Sequence, residues 1–110
     1  MFQQSSIEVG RERLNLPTPQ IKVFCRKHHI RKMSLFGSIV REDFGPNSDV
    51  DVLVEFDPKE VPSLFTFSGI ALDFSDLLGG TKVDMLTPKG LNKYIRDEVL
   101  FEAQVIYDEG

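Results

Sequence analysis

Between Asp49 and Phe56 the chain reads Asp-Val-Asp-Val-Leu-Val-Glu-Phe, a β-branched-rich run closed by Asp57-Pro58. Residues this rich in valine favour a strand, and a strand alternates its side chains between two faces. Val50, Val52 and Val54 therefore share a core-facing side, and Asp49 and Asp51 share the other. Aspartate is depleted from strands, and two like charges a few ångströms apart repel unless a cation lies between them. The fold has to give this strand an apolar layer on one side and a cation-holding site on the other. Asp84, alternating with Val83 and Met85, repeats the pattern, and if its strand neighbours the first the three carboxylates converge. Oxygen ligands with no His or Cys beside them suit a hard ion such as Mg²⁺ or Mn²⁺.

The rest of the chain supplies elements for one α/β (α+β) domain, a small mixed sheet with helices packed over it. Residues 1–17 are polar and without a clean period, and read as a flexible or partner-docked arm; residues 18–110 form the single domain. Thr18-Pro19 reads as a helix N-cap followed by proline at the first helical position, and Ile21, Phe24, Cys25 and His28 carry the helical spacing to about His29. A strand over Lys32 to Phe36 stops at Gly37-Ser38, a single helical turn follows from Ile39 to Asp43, and Gly45 to Ser48 turn into the aspartate strand. Ser63 to Leu78 places apolar residues at 64, 67, 70, 71, 74, 77 and 78 on one helical side, and Gly79-Gly80 stops it. Thr81 to Thr87 reads as a strand, Tyr94 to Glu102 as a helix and Gln104 to Tyr107 as a short terminal strand with an open edge.

With 110 residues the chain buries roughly two thirds of its unfolded surface, enough for one core, so a second substrate-binding domain is expected from another molecule. One cysteine, Cys25, excludes a disulfide scaffold and points to a reducing, cytoplasmic compartment. No export signal and no apolar run of ~20 residues is present, so no membrane partner is expected. A net charge of −4 argues against direct nucleic-acid binding, which rests on Lys and Arg neutralising phosphates.

Gly37-Ser38 stands where a strand ends and a short helix begins, a place where backbone approaches a ligand closely and free N–H groups attract phosphate. Arg41, one turn after Ser38, adds positive charge to the same cradle. A phosphate cradle beside carboxylates that hold metal is a phosphoryl-transfer layout. Taken singly, these features have plainer readings: Ser48-Asp49 as a strand cap, His28-His29 as a helix end and Cys25 as a small core residue. Phe65, Phe67 and Phe74 read as core or partner surface, because no basic residue interleaves them as a base-stacking platform would require.

Leu35-Phe36-Gly37-Ser38, ten intervening residues, then Asp49-Val50-Asp51-Val52-Leu53-Val54 resembles the Gly-Ser…Asp-x-Asp signature of the DNA polymerase β-like nucleotidyltransferases. The nearest likeness is to the minimal nucleotidyltransferase (MNT) antitoxins paired with HEPN-domain toxins, and it extends from about Thr18 to Tyr107, including Leu77-Leu78-Gly79 followed by Lys82-Val83-Asp84. The resemblance implies that Asp49 and Asp51 hold two Mg²⁺ ions. It also implies that Asp84 completes one metal site and helps deprotonate the acceptor hydroxyl, and that Gly37 and Ser38 grip ATP. It implies AMP transfer to a tyrosine of the HEPN ribonuclease partner, in a hetero-oligomer with that toxin. One departure is Glu42, where many members have glycine after the arginine; pointed inward it would weaken nucleotide binding, and pointed outward it is an ordinary solvated residue. Two other functions compete. An antitoxin that is catalytically weak or inactive would neutralise its partner by binding through the Ser63 to Leu78 helix or the 1–17 arm. Nucleotide transfer to a small molecule would ordinarily need an additional acceptor-binding domain.

Overall fold

The computed structural model describes residues 6–9, 14–40 and 49–109. Strands β1 (Ser6–Val9) and β2 (Leu14–Pro17) pair antiparallel, with Ser6 opposite Pro17 and Val9 opposite Leu14. The stretch read as an arm thus contains a two-stranded ribbon, and Leu16 at its end is fully buried in the main core. Each strand has only four residues, too few for its alternation to stand out in the sequence.

Helix α1 (Thr18–Lys27) begins directly after Pro17, one residue earlier than the Thr18 cap expected from sequence. The Thr18 hydroxyl reaches back to the Leu16 carbonyl instead of capping, and Pro19 sits in the first turn, where its missing N–H leaves no bond unmade. Ile21, Phe24 and Cys25 are its buried face. His28 ends the helix and His29, with a left-handed φ of 61°, turns the chain into β3 (Ile30–Phe36). One 3₁₀ turn, Gly37–Ile39, follows β3. The expected turns over Ile39 to Asp43 and Gly45 to Ser48 lie largely or wholly outside the described residues.

The aspartate run forms β4 (Val50–Phe56), antiparallel to β3. Helix α2 (Leu64–Leu77) is capped by Ser63, whose hydroxyl accepts the Thr66 N–H at 3.2 Å. Its far end is tied to the next strand: Ser75 Oγ donates to the Thr81 carbonyl at 2.6 Å, and Thr81 Oγ1 to the Leu78 carbonyl at 3.0 Å. β5 (Val83–Leu86) then runs parallel to β4. Asn92 caps α3 (Lys93–Glu102) through the Tyr94 N–H, and β6 (Gln104–Asp108) closes the sheet beside β3. The strand order is β5-β4-β3-β6, a mixed α/β fold whose open edges are β5 and β6.

Each sheet face carries its own apolar layer. α1 and α2 cover the side holding Met33, Leu35, Val50, Val52, Val54 and Met85, the face the valine alternation marks as core. On the aspartate side Phe36 and Leu53 pack with Leu91 and with Val99 of α3. Arg96 pins the loop before α3 by donating to the Pro88 and Leu91 carbonyls. Helix α2 departs from its expected stripe: Ile70 and Phe74 are buried and Phe67 packs partly buried against the core, but Leu64, one turn earlier, lies outside that cluster and is 83% exposed. No helix among the described residues is long and apolar enough to cross a membrane.

Candidate active site

Three strand ends meet on the aspartate face. The Val50 N–H donates to the Lys82 carbonyl at 2.9 Å and starts the parallel β4–β5 ladder, which sets Asp51 directly opposite Asp84. Partners in a parallel ladder project to the same face, so both carboxylates lie on one side of the sheet. Asp49, partly buried, immediately precedes β4 and has the same parity. On the other flank Phe36 is the antiparallel partner of Asp51, which delivers Gly37 to the Asp51 side chain.

Gly37 adopts a φ of +75°, a conformation costly to residues with a Cβ. A Cβ added there would fall on Asp51 Oδ2 and lie 3.1 Å from its Cγ. The Asp51 carboxylate thus occupies the volume that a side chain at position 37 would need. Gly37–Ile39 closes as one 3₁₀ turn, with the Val40 N–H donating to the Gly37 carbonyl at 3.1 Å, and fully buried Ile39 anchors it. Ser38 is the middle residue of that turn.

Of the sequence-derived candidates, Gly37, Ser38, Asp49, Asp51 and Asp84 gather at this end of the sheet. Arg41 and Glu42 lie outside the described residues. Among the described residues, no group of three or more His, Cys, Asp or Glu side chains is drawn together closely enough to hold an ion unaided. The donor chemistry of Asp49, Asp51 and Asp84 is that of a hard cation, and Mg²⁺ is commonly held by one or two carboxylates together with water and substrate phosphates.

The other titratable candidates are elsewhere. His28 and His29 precede β3, at the opposite end of that strand from Gly37. The His28 ring packs against Phe24 with centroids 4.6 Å apart, and burial, more than neighbouring Lys27, holds its pKa below the ordinary 6.5. His29 pairs at 3.6 Å with Glu60. Cys25 is fully buried and its thiol is pushed up to about 12, chiefly by burial and secondarily by Glu109. Of the three phenylalanines, Phe74 is core, Phe67 is half-buried against Phe56 at 6.0 Å, and Phe65 is 91% exposed. Sequence reasoning missed a groove of about 490 Å³ running between α2 and the outer edge of β5, beside Asp84. Its signal was Leu72, an apolar residue of α2 outside the expected core stripe.

Residues 19–106 match the model of the nucleotidyltransferase domain family. The chain is 37% identical over 86 residues to protein adenylyltransferase MntA of Thermococcus cleftensis, covering 78% of this chain and 84% of that one. Its fold is similar to a solved toxin–antitoxin complex with AMP-PNP, with a TM-score of 0.69 and 18% identity over 84% of this chain and 74% of that chain. It is likewise similar to the structure of a tri-AMPylated Shewanella oneidensis HEPN toxin in complex with its MNT antitoxin, with a TM-score of 0.58 and 15% identity over 83% of this chain and 69% of that one.

Proposed function

Because this chain belongs to the nucleotidyltransferase domain family, and is by that membership a nucleotide-transferring enzyme, we propose that it moves AMP from ATP, with Mg²⁺, to a tyrosine hydroxyl of a partner HEPN-domain ribonuclease toxin. It would act in this way as that toxin's antitoxin. The observation that carries the reading is the contact of Gly37 with the Asp51 carboxylate, opposite Asp84 in the ladder. The adenylyltransferase name of a relative at 37% identity, and solved neighbours that hold AMP-PNP or an AMPylated HEPN toxin, support the substrate and the partner.

Asp49, Asp51 and Asp84 would hold the metal, which when bound neutralises phosphate charge and stabilises the leaving oxygen. Gly37, Ser38 and Arg41 would bind the triphosphate, with Gly37 bringing backbone close because it has no side chain in the way. The acceptor oxygen forms a new bond to the α-phosphorus while the bond from that phosphorus to the pyrophosphate oxygen breaks, so pyrophosphate departs. Asp84, exposed on the outer strand, is open to an arriving hydroxyl and would take its proton.

The double variant Asp49→Asn, Asp51→Asn tests the reading. It is expected to keep its circular dichroism spectrum and melting behaviour, because removing the charges also relieves their repulsion. Metal-dependent ATP binding by calorimetry should fall below detection, and AMP transfer to the toxin with it. Undiminished transfer by the folded variant would overturn the reading. A second function is favoured by one observation: α2 exposes Leu64, Phe65 and Leu72. If neutralisation is by occlusion alone, cells carrying the double variant stay protected from the toxin.

A further inference from the structure

The outer edge of β5 bears directly on how an acceptor reaches the site. The ladder bond from Val50 to the Lys82 carbonyl sets the parity of β5: Lys82, Asp84 and Leu86 turn their backbone groups toward β4, and Val83 and Met85 turn theirs outward. β5 is an edge of the sheet, and no described residue hydrogen-bonds those outward groups. Beside them runs the 490 Å³ groove walled by Phe67, Ala71 and Leu72 of α2 and by Val83 and Met85. Unpaired N–H and C=O groups next to an apolar trough are the two components of strand-addition recognition.

We propose that the β5 edge docks an extended segment of the acceptor protein, antiparallel to Val83–Met85, and that the modified hydroxyl is carried by the residue facing Asp84. This deepens the adenylyltransferase reading and rests on it. In antiparallel pairing the residues facing Val83 and Met85 exchange backbone hydrogen bonds, and the residue between them faces Asp84 across the narrow pair, with Cβ atoms roughly 4.5–5.5 Å apart. That residue projects to the face of Asp84 and Asp51, where a tyrosine ring brings its hydroxyl to the carboxylates. Its two neighbours project into the groove beside α2 and are apolar. The acceptor segment therefore reads apolar, tyrosine, apolar.

Charge identifies the occupant as a different protein. A second copy pairing edge to edge through Val83 and Met85 would set Asp84 against its own symmetry mate, a like-charge pair on the narrow rung. The charged residues lining the groove are Lys82 and Asp84, one of each sign, so an apolar segment of no net charge suits it.

The probe is the synthetic peptide Lys-Thr-Val-Tyr-Val-Thr-Glu, with a twin N-methylated on both valines, which keeps every side chain and removes the two N–H donors. With the parent peptide, amide hydrogen exchange at Val83 and Met85 is expected to slow at least tenfold, and the twin should leave it unchanged. AMP transfer to the parent should exceed transfer to the twin at least tenfold in kcat/KM, and Leu72→Asp should raise the KM for the parent about tenfold. Equal protection or equal transfer with the twin would overturn the proposal, as would transfer to neither peptide by a protein that binds ATP. A peptide-independent dimer that protects the same amides would overturn it in favour of a second copy. Loss of ATP binding itself would refute the nucleotidyltransferase reading, while the exchange measurement, which needs no turnover, still decides the docking.

Discussion

At the level of single residues, the site turns on a volume exchange between Gly37 and Asp51. A left-handed φ costs a residue with a Cβ about 1–2 kcal/mol, and at position 37 the Cβ would in addition displace the Asp51 carboxylate. Gly37→Ala is therefore expected to lose stability by about that amount and AMP transfer by on the order of 100-fold, the scale of a misplacement of ~1 Å in a reacting group. Gly79 separates the two effects. Its φ is +76°, yet a Cβ there meets nothing within 4 Å, so Gly79→Ala should lower the melting temperature comparably and leave kcat untouched. Equal losses of activity in both variants would show that backbone strain alone, and not the carboxylate contact, makes glycine necessary at position 37.

Among the elements, β3 is the most enclosed, with β4 on one side, β6 on the other and a helical layer on each face. Ser34 at its centre, opposite Leu53 and Val105, is only 3% exposed, and no described residue hydrogen-bonds its hydroxyl. A buried hydroxyl without a partner costs about 1–3 kcal/mol, so Ser34→Ala should raise the melting temperature by several degrees; a fall would mean that the hydroxyl bonds a buried water. The strands that carry the candidate site were legible in the sequence because alternation is a local signal: Asp51 and Asp84 stand out against valine and methionine neighbours, and Gly37-Ser38 marks a strand end. Three features were not legible, for physical reasons. The β1–β2 ribbon alternates, Ile7 and Val9 in one strand and Leu14 and Leu16 in the other, but over four residues each, too short for the pattern to stand out. The layer on the aspartate face takes Phe36, Leu53, Leu91 and Val99 from separate segments, and only the fold unites them. Finally, an apolar helix residue reads alike whether it meets its own core or another surface, so Leu64 was assigned inward and is exposed.

Across the molecule as a whole, two groups at the C-terminal end of α1 set opposite limits on the pH range of stability. Burial keeps the folded His28 less basic than its ordinary 6.5, with Lys27 and His29 acting in the same direction and Asp73 opposing. As pH falls through 6.5 the unfolded chain takes up a proton that the folded chain binds less well, so stability declines toward acid. Cys25 has the converse linkage. Its folded thiol ionises only at about 12, against an ordinary value of 9.0, so above pH 9 the unfolded chain releases a proton that the folded chain retains, and stability declines toward alkali. The melting temperature should accordingly be highest between about pH 6.5 and 9, the interval bounded by those two ordinary values. Melting curves between pH 5 and 9.5 check this with one variant per limb: His28→Asn should flatten the acid side and Cys25→Ala the alkaline side, each leaving the other limb in place. Both groups lie far along β3 from Gly37, so AMP transfer measured well below the melting temperature should not follow this profile. A transfer rate that tracked the His28 limb would instead mean that the helix end and the nucleotide site are coupled through β3.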